Sequence, residues 1–373
     1  MPRRRGNGEG SIYQRKDGKW CAAATTPDGY RKVLYGTTRE AVRRKLTGIQ
    51  HSIDSGTYTD AAGLTLGKYL DQWLEEVVKP SVRRWTYLGY EVHVRLHIKP
   101  ILGTVALDRL TPMHVQSMIN RKLQEGLSPK SVKYIRGTLR TALNQAIRWG
   151  LLSRNAATMV ELPKVSRYEI RPFTTDEARR FLAAIKGDRL EALYSVALTM
   201  GLRQGEALGL RWQDIDLDMG YIRVSKQLQR LDGKLQLVDL KTDRSRRTLV
   251  IPASIVDGLR QHKVRQAEER AATGNSVRRD DLVFTTPEGE PLEGTTVSRH
   301  FHRHLDQAGL SQRRFHDLRH SCATLLMVQG VSPRVVMDVL GHSEIAMTMN
   351  TYSHVIPELR RDAADRMEDL LTR

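Results

Sequence analysis

Cysteine is nearly absent: Cys21 and Cys322 are the only two in 373 residues. A pair this sparse builds neither a disulfide framework nor a thiolate zinc site, and a reducing, cytoplasmic setting is the expectation. No run of about 18 apolar residues occurs, so no membrane span is expected. The opening Met1-Pro2-Arg3-Arg4-Arg5-Gly6 has no apolar stretch behind it, which speaks against a secretory leader. Internal repeats and low-complexity tracts are missing. So is a nucleotide-binding phosphate loop, because no Lys-Ser/Thr pair follows Gly201-Leu202-Arg203-Gln204-Gly205-Glu206. Acidic residues are few, 42 against 60 Lys and Arg, and the formal net charge is +18. With 40% hydrophobic residues the chain can build real cores. Its length suits two or three domains. Such a positive excess in a folded chain points to a polyanion, nucleic acid first, with an acidic membrane surface and simple solubility as the competing readings.

The charge is unevenly spread. Residues 1–50 hold twelve basic and four acidic side chains. Strand-like pieces at Ser11–Gln14, Trp20–Thr25 and Arg31–Tyr35 are separated by Asp17-Gly18 and Asp28-Gly29, strong tight-turn signals. A helix is expected from Thr38 to Ser55, with Arg43, Arg44 and Lys45 on it. A three-stranded sheet plus one helix with this charge reads as a DNA-binding arm over residues 1–60, its sheet laid in a groove. A solvated basic tail is the competing reading.

Residues 65–160 read as a helical bundle. Leu66, Tyr69, Leu70, Trp73, Leu74 and Val77 follow the helical apolar spacing. A second helix is expected over Thr86–Ile98, stopped at Lys99-Pro100, a third from Thr111-Pro112, and a fourth from Ser128-Pro129 to Trp149-Gly150. On the fourth, Val132, Ile135, Leu139, Leu143 and Ile147 form an apolar face. Lys130, Lys133, Arg136, Arg140 and Arg148 form a basic stripe beside it. No acidic residue occurs from Pro129 to Val160, which favours phosphate contact over an ordinary wet face.

A linker is expected at Leu162–Pro172, then a helix near Thr174-Thr175 with Glu177 as its cap partner. Two helices, at about 175–186 and 188–201, precede three antiparallel strands, Tyr221–Val224, Leu235–Leu240 and Arg247–Ile251. The Asp232-Gly233 turn is placed between the first two, and helices resume after Pro252. The fold class expected is a multidomain, mainly α chain with small antiparallel sheets: a sheet-plus-helix module, a helical bundle, and an α+β domain over residues 172–373.

Four local patterns stand out in this last domain. Arg203 sits at a Gly-flanked helix junction within Gly201-Leu202-Arg203-Gln204-Gly205-Glu206. Lys241 lies at an apparent turn between strands, with Lys226, Lys234 and Arg244 as neighbours that could take its place. His316 and Arg319 share a helix face in Phe315-His316-Asp317-Leu318-Arg319-His320. Leu340-Gly341-His342-Ser343 is followed ten residues later by Tyr352. Each pattern is weak alone. Their order and their local strings together resemble the tyrosine recombinase (phage-type integrase) family. Residues 11–56 resemble its arm-binding domain, 65–160 its core-binding domain and 172–360 its catalytic domain.

The resemblance implies roles. Tyr352 would be the nucleophile that leaves a 3′-phosphotyrosyl link and a free 5′-hydroxyl. Arg203 and Arg319 would hold the non-bridging oxygens, Lys241 would protonate the leaving 5′-oxygen, and His316 and His342 would donate hydrogen bonds and help move protons. Elementary chemistry agrees with that division. Guanidiniums match a phosphate in paired fashion and stay charged. A phenol with pKa near 10 needs nearby cations to lose its proton, and a basic leaving alkoxide needs an acid. The implied protein is an integrase of a phage or mobile element. It would bind double-stranded DNA at arm-type and core-type sites as a homotetramer, helped by a DNA-bending host factor and a directionality factor. A chromosome-dimer resolvase of the same family and a catalytically dead DNA-binding regulator are the alternatives.

No metal and no cofactor is expected. His316 and His320 have metalloprotease spacing, but Asp317 stands where that motif needs Glu. His300, His302 and His304 form a short His-rich tract in which His300 and His304 could bind metal, and a phosphate-facing or solvated helix is the preferred reading. Glu206 is given a structural role, pairing with a nearby Arg. Ile356, Leu359, Ala363, Met367 and Leu370 lie at helical spacing in a tail with five acidic and four basic residues from Pro357 on. That balance suits protein contact, on a neighbouring protomer or on the tail's own domain.

Overall fold

Two tight turns, at Gly18 and Gly29 with φ of +80° and +81°, fold the first three strands back on one another. The computed structural model describes residues 10–26, 29–54, 63–166, 168–240, 245–273, 281–341, 367–368 and 371–372. Strands β1 (Ser11–Gln14), β2 (Trp20–Thr25) and β3 (Arg31–Gly36) form an antiparallel sheet with β2 central, Ala22 lying opposite both Ile12 and Leu34. Helix α1 (Arg39–Asp54) covers one face. Val42 and Leu46 meet Ala22 and Ala24, small side chains that let helix and sheet approach closely. Thr38 accepts a hydrogen bond from the Ala41 N–H, which fixes where the helix begins.

The chain divides into two units, Met1–Arg167 and Tyr168–Arg373. The rest of the first unit is helical. Helix α2 (Leu66–Trp73) is capped by Thr65. It runs on through a π-helical stretch at Leu74–Val78 into Lys79–Ser81. Helix α3 (Arg84–Val92) does the same through His93–Ile98 into Lys99–Leu102. This corrects the expectation that the second helix stops at Lys99-Pro100. A π-stretch precedes both Lys79-Pro80 and Lys99-Pro100, and the local unwinding absorbs the missing proline N–H and the ring's clash with the previous turn. Helix α4 (Pro112–Gln124) opens on a capping box between Thr111 and His114, and α5 (Pro129–Arg148) opens on Ser128. Val132, Ile135, Leu139 and Leu143 are buried as expected, whereas Ile147 is only half-buried. Tyr69 donates from its hydroxyl to the Ala142 carbonyl at 2.6 Å, and Trp73 stacks on Tyr90.

The second unit starts with α6 (Thr175–Ala184), opened by the Thr174–Glu177 capping box, then α7 (Glu191–Met200) and the short α8 (Gln204–Leu208). Strands β4 (Ile215–Asp216), β5 (Tyr221–Val224) and β8 (Arg247–Val250) make one sheet in the order β4-β5-β8. Strands β6 (Lys226–Leu231) and β7 (Lys234–Asp239) make a separate hairpin. The expected three-strand arrangement is therefore corrected. Asp232-Gly233 joins β6 to β7, not Tyr221–Val224 to Leu235–Leu240, and β5 pairs with β8. A two-residue turn with φ of +48° and +79° needs a strand ending immediately before it, and only β6 does so. Helices α9 (Ala253–Thr273), α10 (Gly294–Gln307), α11 (His316–Val328) and α12 (Pro333–Leu340) follow. The main core of this unit is aromatic where α6, α7 and α10 meet, with Phe181 between Phe173, Tyr194 and Phe301, and α11 and α12 add a smaller cluster of Ala323, Met327, Val336 and Leu340.

The bundle gives a direct test of burial. Trp73→Ala should lower the unfolding free energy by about 3–5 kcal/mol, since the side chain is 1% exposed. Trp85→Ala, in the same unit but 57% exposed, should change it by about 0.5 kcal/mol or less. Denaturant titration of both variants checks the contrast, and equal losses would contradict the packing described.

Candidate active site

Arg203 is placed by a helix end and a helix start. Helix α7 closes on Gly201, whose φ of +61° no β-carbon would tolerate easily; a Cβ there would also lie 2.6 Å from Leu340 Cδ2. Two residues on, Arg203 is the N-cap of α8. Its side chain is 35% exposed and its Nη1 donates to Glu206 Oε1 at 2.6 Å, while the Arg203 N–H donates to Glu206 Oε2. Glu206 is buried and takes a second guanidinium, Arg247 from β8, whose Nη2 donates to Oε2 at 3.0 Å. Burial alone would raise the Glu206 carboxyl, but Arg247 and Arg203 outweigh it and hold the group below the usual carboxylate range.

Arg319 lies in the first turns of α11 and is 2% exposed. Its Nη1 donates to the Gly201 carbonyl at 2.7 Å and its Nη2 to the Leu340 carbonyl at 2.6 Å. One guanidinium thus joins the segment leading to Arg203 with the end of α12, two residues before His342. His316, one turn before Arg319, reaches solvent on one side but is otherwise closely surrounded by protein. That burial lowers its pKa, and Arg319 and Arg203 push it the same way, so the imidazole is neutral at neutral pH. His320 stacks edge-on against His316, and burial with that neighbour pulls it to about 4.

The start of α11 is anchored from below. Asp317 accepts from the Tyr168 hydroxyl at 2.7 Å and from the Arg314 N–H at 2.9 Å, and the Arg314 guanidinium lies on the Tyr168 ring at 3.5 Å. The Phe173 N–H donates to Ser321 Oγ at 2.8 Å. Cys322, behind Arg319, is a buried thiol pushed up to about 12 by that burial, so it is unreactive at neutral pH.

Of the six residues expected to carry the chemistry, Arg203, His316 and Arg319 come together, close enough that both guanidiniums act on the imidazole. Lys241, His342 and Tyr352 lie outside the described residues, as does most of the expected tail helix. Sequence reasoning missed Arg247. It sits on a strand with no local motif, and only the sheet brings it to Glu206, whereas Glu206 itself stands at capping-box spacing from Arg203.

The expected DNA-contacting residues are less uniform than their sequence spacing implied. On α5, Lys130, Lys133 and Arg140 are exposed and Arg136 is half-buried. Among the described residues none of the four pairs with a carboxylate. On α1, Arg43 faces solvent, Arg44 makes an exposed pair with Glu40 at 3.9 Å, and Lys45 turns back to donate to the Tyr35 carbonyl at 2.7 Å. In the His-rich tract only His302 is fully exposed; His304 is 5% exposed, which corrects the reading of that tract as a solvated or phosphate-facing face. Among the described residues no helix is long and apolar enough to cross a membrane.

Known proteins resemble this chain over most of its length. The model of the Phage integrase family matches residues 171–358, and that of the Phage integrase, N-terminal SAM-like domain matches residues 65–123. A tyrosine recombinase XerC-like protein of Caldanaerobacter subterraneus subsp. tengcongensis is 33% identical over 359 residues, covering 91% of this chain and 92% of its own. An integrase of Saccharopolyspora erythraea is 28% identical over 423 residues, covering 97% and 96%. The solved structure of the Tn1549 transposon integrase with transposon right end DNA shares the fold, with a TM-score of 0.69 at 22% identity, covering 82% of this chain and 100% of that one. On the strength of these sequence matches the chain is a member of the phage integrase family, the tyrosine-type site-specific recombinases.

Proposed function

We propose that this chain is an integrase of a phage or mobile element, cutting and rejoining duplex DNA through a covalent tyrosyl intermediate. The observation that carries the reading is the charge of the site. Arg203, Arg247 and Arg319 surround a single carboxylate, Glu206, leaving an excess of positive charge beside a neutral His316. A phosphodiester supplies the missing anion, and its pentacovalent transition state supplies more negative charge still. Arg203 is open enough to bind a non-bridging oxygen directly. Arg319 would reach the other by exchanging one carbonyl for a phosphate oxygen, the stronger acceptor of a charged donor.

In this reading the Tyr352 oxygen attacks phosphorus, the bond to the 5′-oxygen breaks, and Lys241 delivers a proton to that oxygen. The phenol proton leaves by way of His316 or His342. Attack of a 5′-hydroxyl from the exchanging strand on the phosphotyrosyl bond reverses these steps and frees the tyrosine, so the bond energy is kept and neither ATP nor a metal is drawn upon. Residues 172–373 would act as the catalytic domain and 65–160 as the core-binding domain, with the α5 stripe on the DNA backbone. Residues 1–60 would bind arm-type sites through the sheet face that exposes Tyr13, Arg31 and Tyr35. The working form would be a homotetramer on DNA in the cytoplasm of a bacterial host, with a DNA-bending host factor and a directionality factor as partners. A chromosome-dimer resolvase of the same family needs only the last two modules, so the first favours the integrase reading.

Incubation with a nicked core-site DNA should trap a covalent adduct in the wild type. Tyr352→Phe and Arg203→Ala should each lower its yield at least about a hundredfold with little change in binding. An adduct that persists in Tyr352→Phe would remove that residue from its role, and a wild type that binds but traps nothing would make the chain a regulator. Lys241→Ala should block cleavage of an ordinary phosphodiester and recover on a substrate whose 5′ leaving group has a low pKa. Failure of the rescue moves the acid elsewhere, with Lys226, Lys234 and Arg244 next in line. Lys133→Ala and Arg140→Ala should weaken DNA binding without regard to sequence and lower the slope of log affinity against log salt by about 1 each; an unchanged slope would take α5 off the backbone.

A further inference from the structure

Helix α10 carries His300 and His304 one turn apart, and the loop between α6 and α7 sets Asp188 against them. Asp188 Oδ2 lies 3.2 Å from His304 Nε2 and 3.7 Å from His300 Nε2. One ligand atom from each of the three residues falls within 4.8 Å of the others. The remaining atoms of each group are already committed. His304 Nδ1 lies 2.8 Å from Gln307 Oε1; with that amide oxygen accepting, Nδ1 would carry the proton and Nε2 would be left as a ligand atom. His300 Nδ1 lies 3.2 Å from the Tyr194 hydroxyl, which is also 3.2 Å from the Val297 carbonyl; with the hydroxyl proton on that carbonyl, this Nδ1 would donate as well. Asp188 Oδ1 accepts from the Leu190 N–H at 2.7 Å.

Two imidazole nitrogens and one carboxylate oxygen thus face one another. His304 is 5% exposed, and its Nε2 is buried without a hydrogen-bond partner. A buried imidazole nitrogen without a hydrogen-bond partner, 3.2 Å from a carboxylate oxygen, is a place where a bound cation would satisfy both groups at once. Ligand atoms bound tetrahedrally at 2.0–2.2 Å from one ion lie about 3.3 Å apart; the two Asp188–histidine spacings, 3.2 and 3.7 Å, are close to this, and within the outer limit of 4.8 Å for the set the two imidazoles would draw in on a bound ion. Gln307 and Tyr194 hold the outer ring nitrogens as the second shell of a metal site does. His300 and Asp188 are partly exposed, which leaves an open side for a water as fourth ligand.

We propose that Asp188, His300 and His304 form a site for a divalent transition-metal ion, zinc by preference, that clamps the α6–α7 loop to α10. Two nitrogens and one carboxylate oxygen suit zinc, cobalt or nickel better than magnesium or calcium. The clamp has a bearing on the recombination site. Its other histidine partner, Tyr194, lies on α7, which ends at Gly201. The N-terminal end of α10 holds Gln204, next to Arg203, through the Gly294 carbonyl and Ser298 Oγ. An ion here would fix the two helices that flank Arg203 without touching the reacting atoms.

The test uses the full-length, tag-free chain after chelator treatment, with zinc and cobalt salts as probes. Zinc titration against a chromophoric chelator should show one tight equivalent per chain, cobalt should give visible ligand-field absorption, and zinc should raise the thermal unfolding midpoint. Asp188→Asn preserves the acceptor for Leu190 and His300→Gln alters a partly exposed side chain, so both should fold. Each should weaken zinc binding by more than about tenfold and remove the cobalt band, and Gln307→Leu should weaken it about 10–100-fold. His316→Gln/His320→Gln should leave the tight equivalent intact. The proposal is overturned if the wild type takes up no zinc at micromolar concentration. It is overturned equally if Asp188→Asn and His300→Gln bind as the wild type does, or if the tight equivalent disappears with the His316/His320 variant.

Discussion

The Arg319 guanidinium is the contact on which the rest of the site depends. It donates to the Gly201 and Leu340 carbonyls, which close α7 and α12. Helix C-termini expose carbonyls without partners and carry the negative end of the helix dipole, so a buried cation there satisfies hydrogen bonds and charge at once. Both helices end on a glycine in the left-handed region, with φ of +61° and +65°, and a side chain at Gly201 would strike Leu340. The same small region therefore demands a glycine, a guanidinium and two helix ends. Three segments far apart in sequence, leading to Arg203, His316 and His342, are drawn together by this packing before any substrate is bound.

Much of this order was legible in the sequence wherever it is set by local rules. The strands of the N-terminal sheet, the Thr111 and Ser128 caps and the Thr174–Glu177 box were readable because turns and caps depend on a few adjacent residues. The Arg203 junction and the His316–Arg319 face were readable for the same reason. Reading failed where the deciding partner is distant or the backbone is irregular. Helix α3 passes Pro100 because a π-stretch upstream takes up the defect. Strand β6 was hidden by its weak apolar pattern, with only Leu228 and Leu231 buried. Arg247 and Asp188 carry no local sign of their partners: one meets Glu206 through the sheet, the other meets His300 and His304 across the core. The spacing of the two histidines was visible; the carboxylate that gives it meaning was not.

The balance of charge around Glu206 in the second unit comes at a cost to stability. Arg247 and Glu206 are 7% and 1% exposed at the side chain, and a buried ion pair seldom repays its desolvation in full. Its value lies in orientation. Glu206 binds both Arg203 and Arg247, so it fixes the direction of a guanidinium that is otherwise free to move in solvent. One carboxylate cannot neutralise three guanidiniums, and the remainder is held in a poorly polarisable environment where repulsion is stronger than in water. Burial lowers the His316 pKa and the same repulsion adds to it, favouring a neutral imidazole able to pass a proton or donate a hydrogen bond, where a charged imidazole could only donate. In the proposed reading an arriving phosphate would relieve all of these terms together: the anion that the site lacks would also be the group on which it acts, and the pentacovalent state, more negative than the ground state, would be the species that the arrangement favours most.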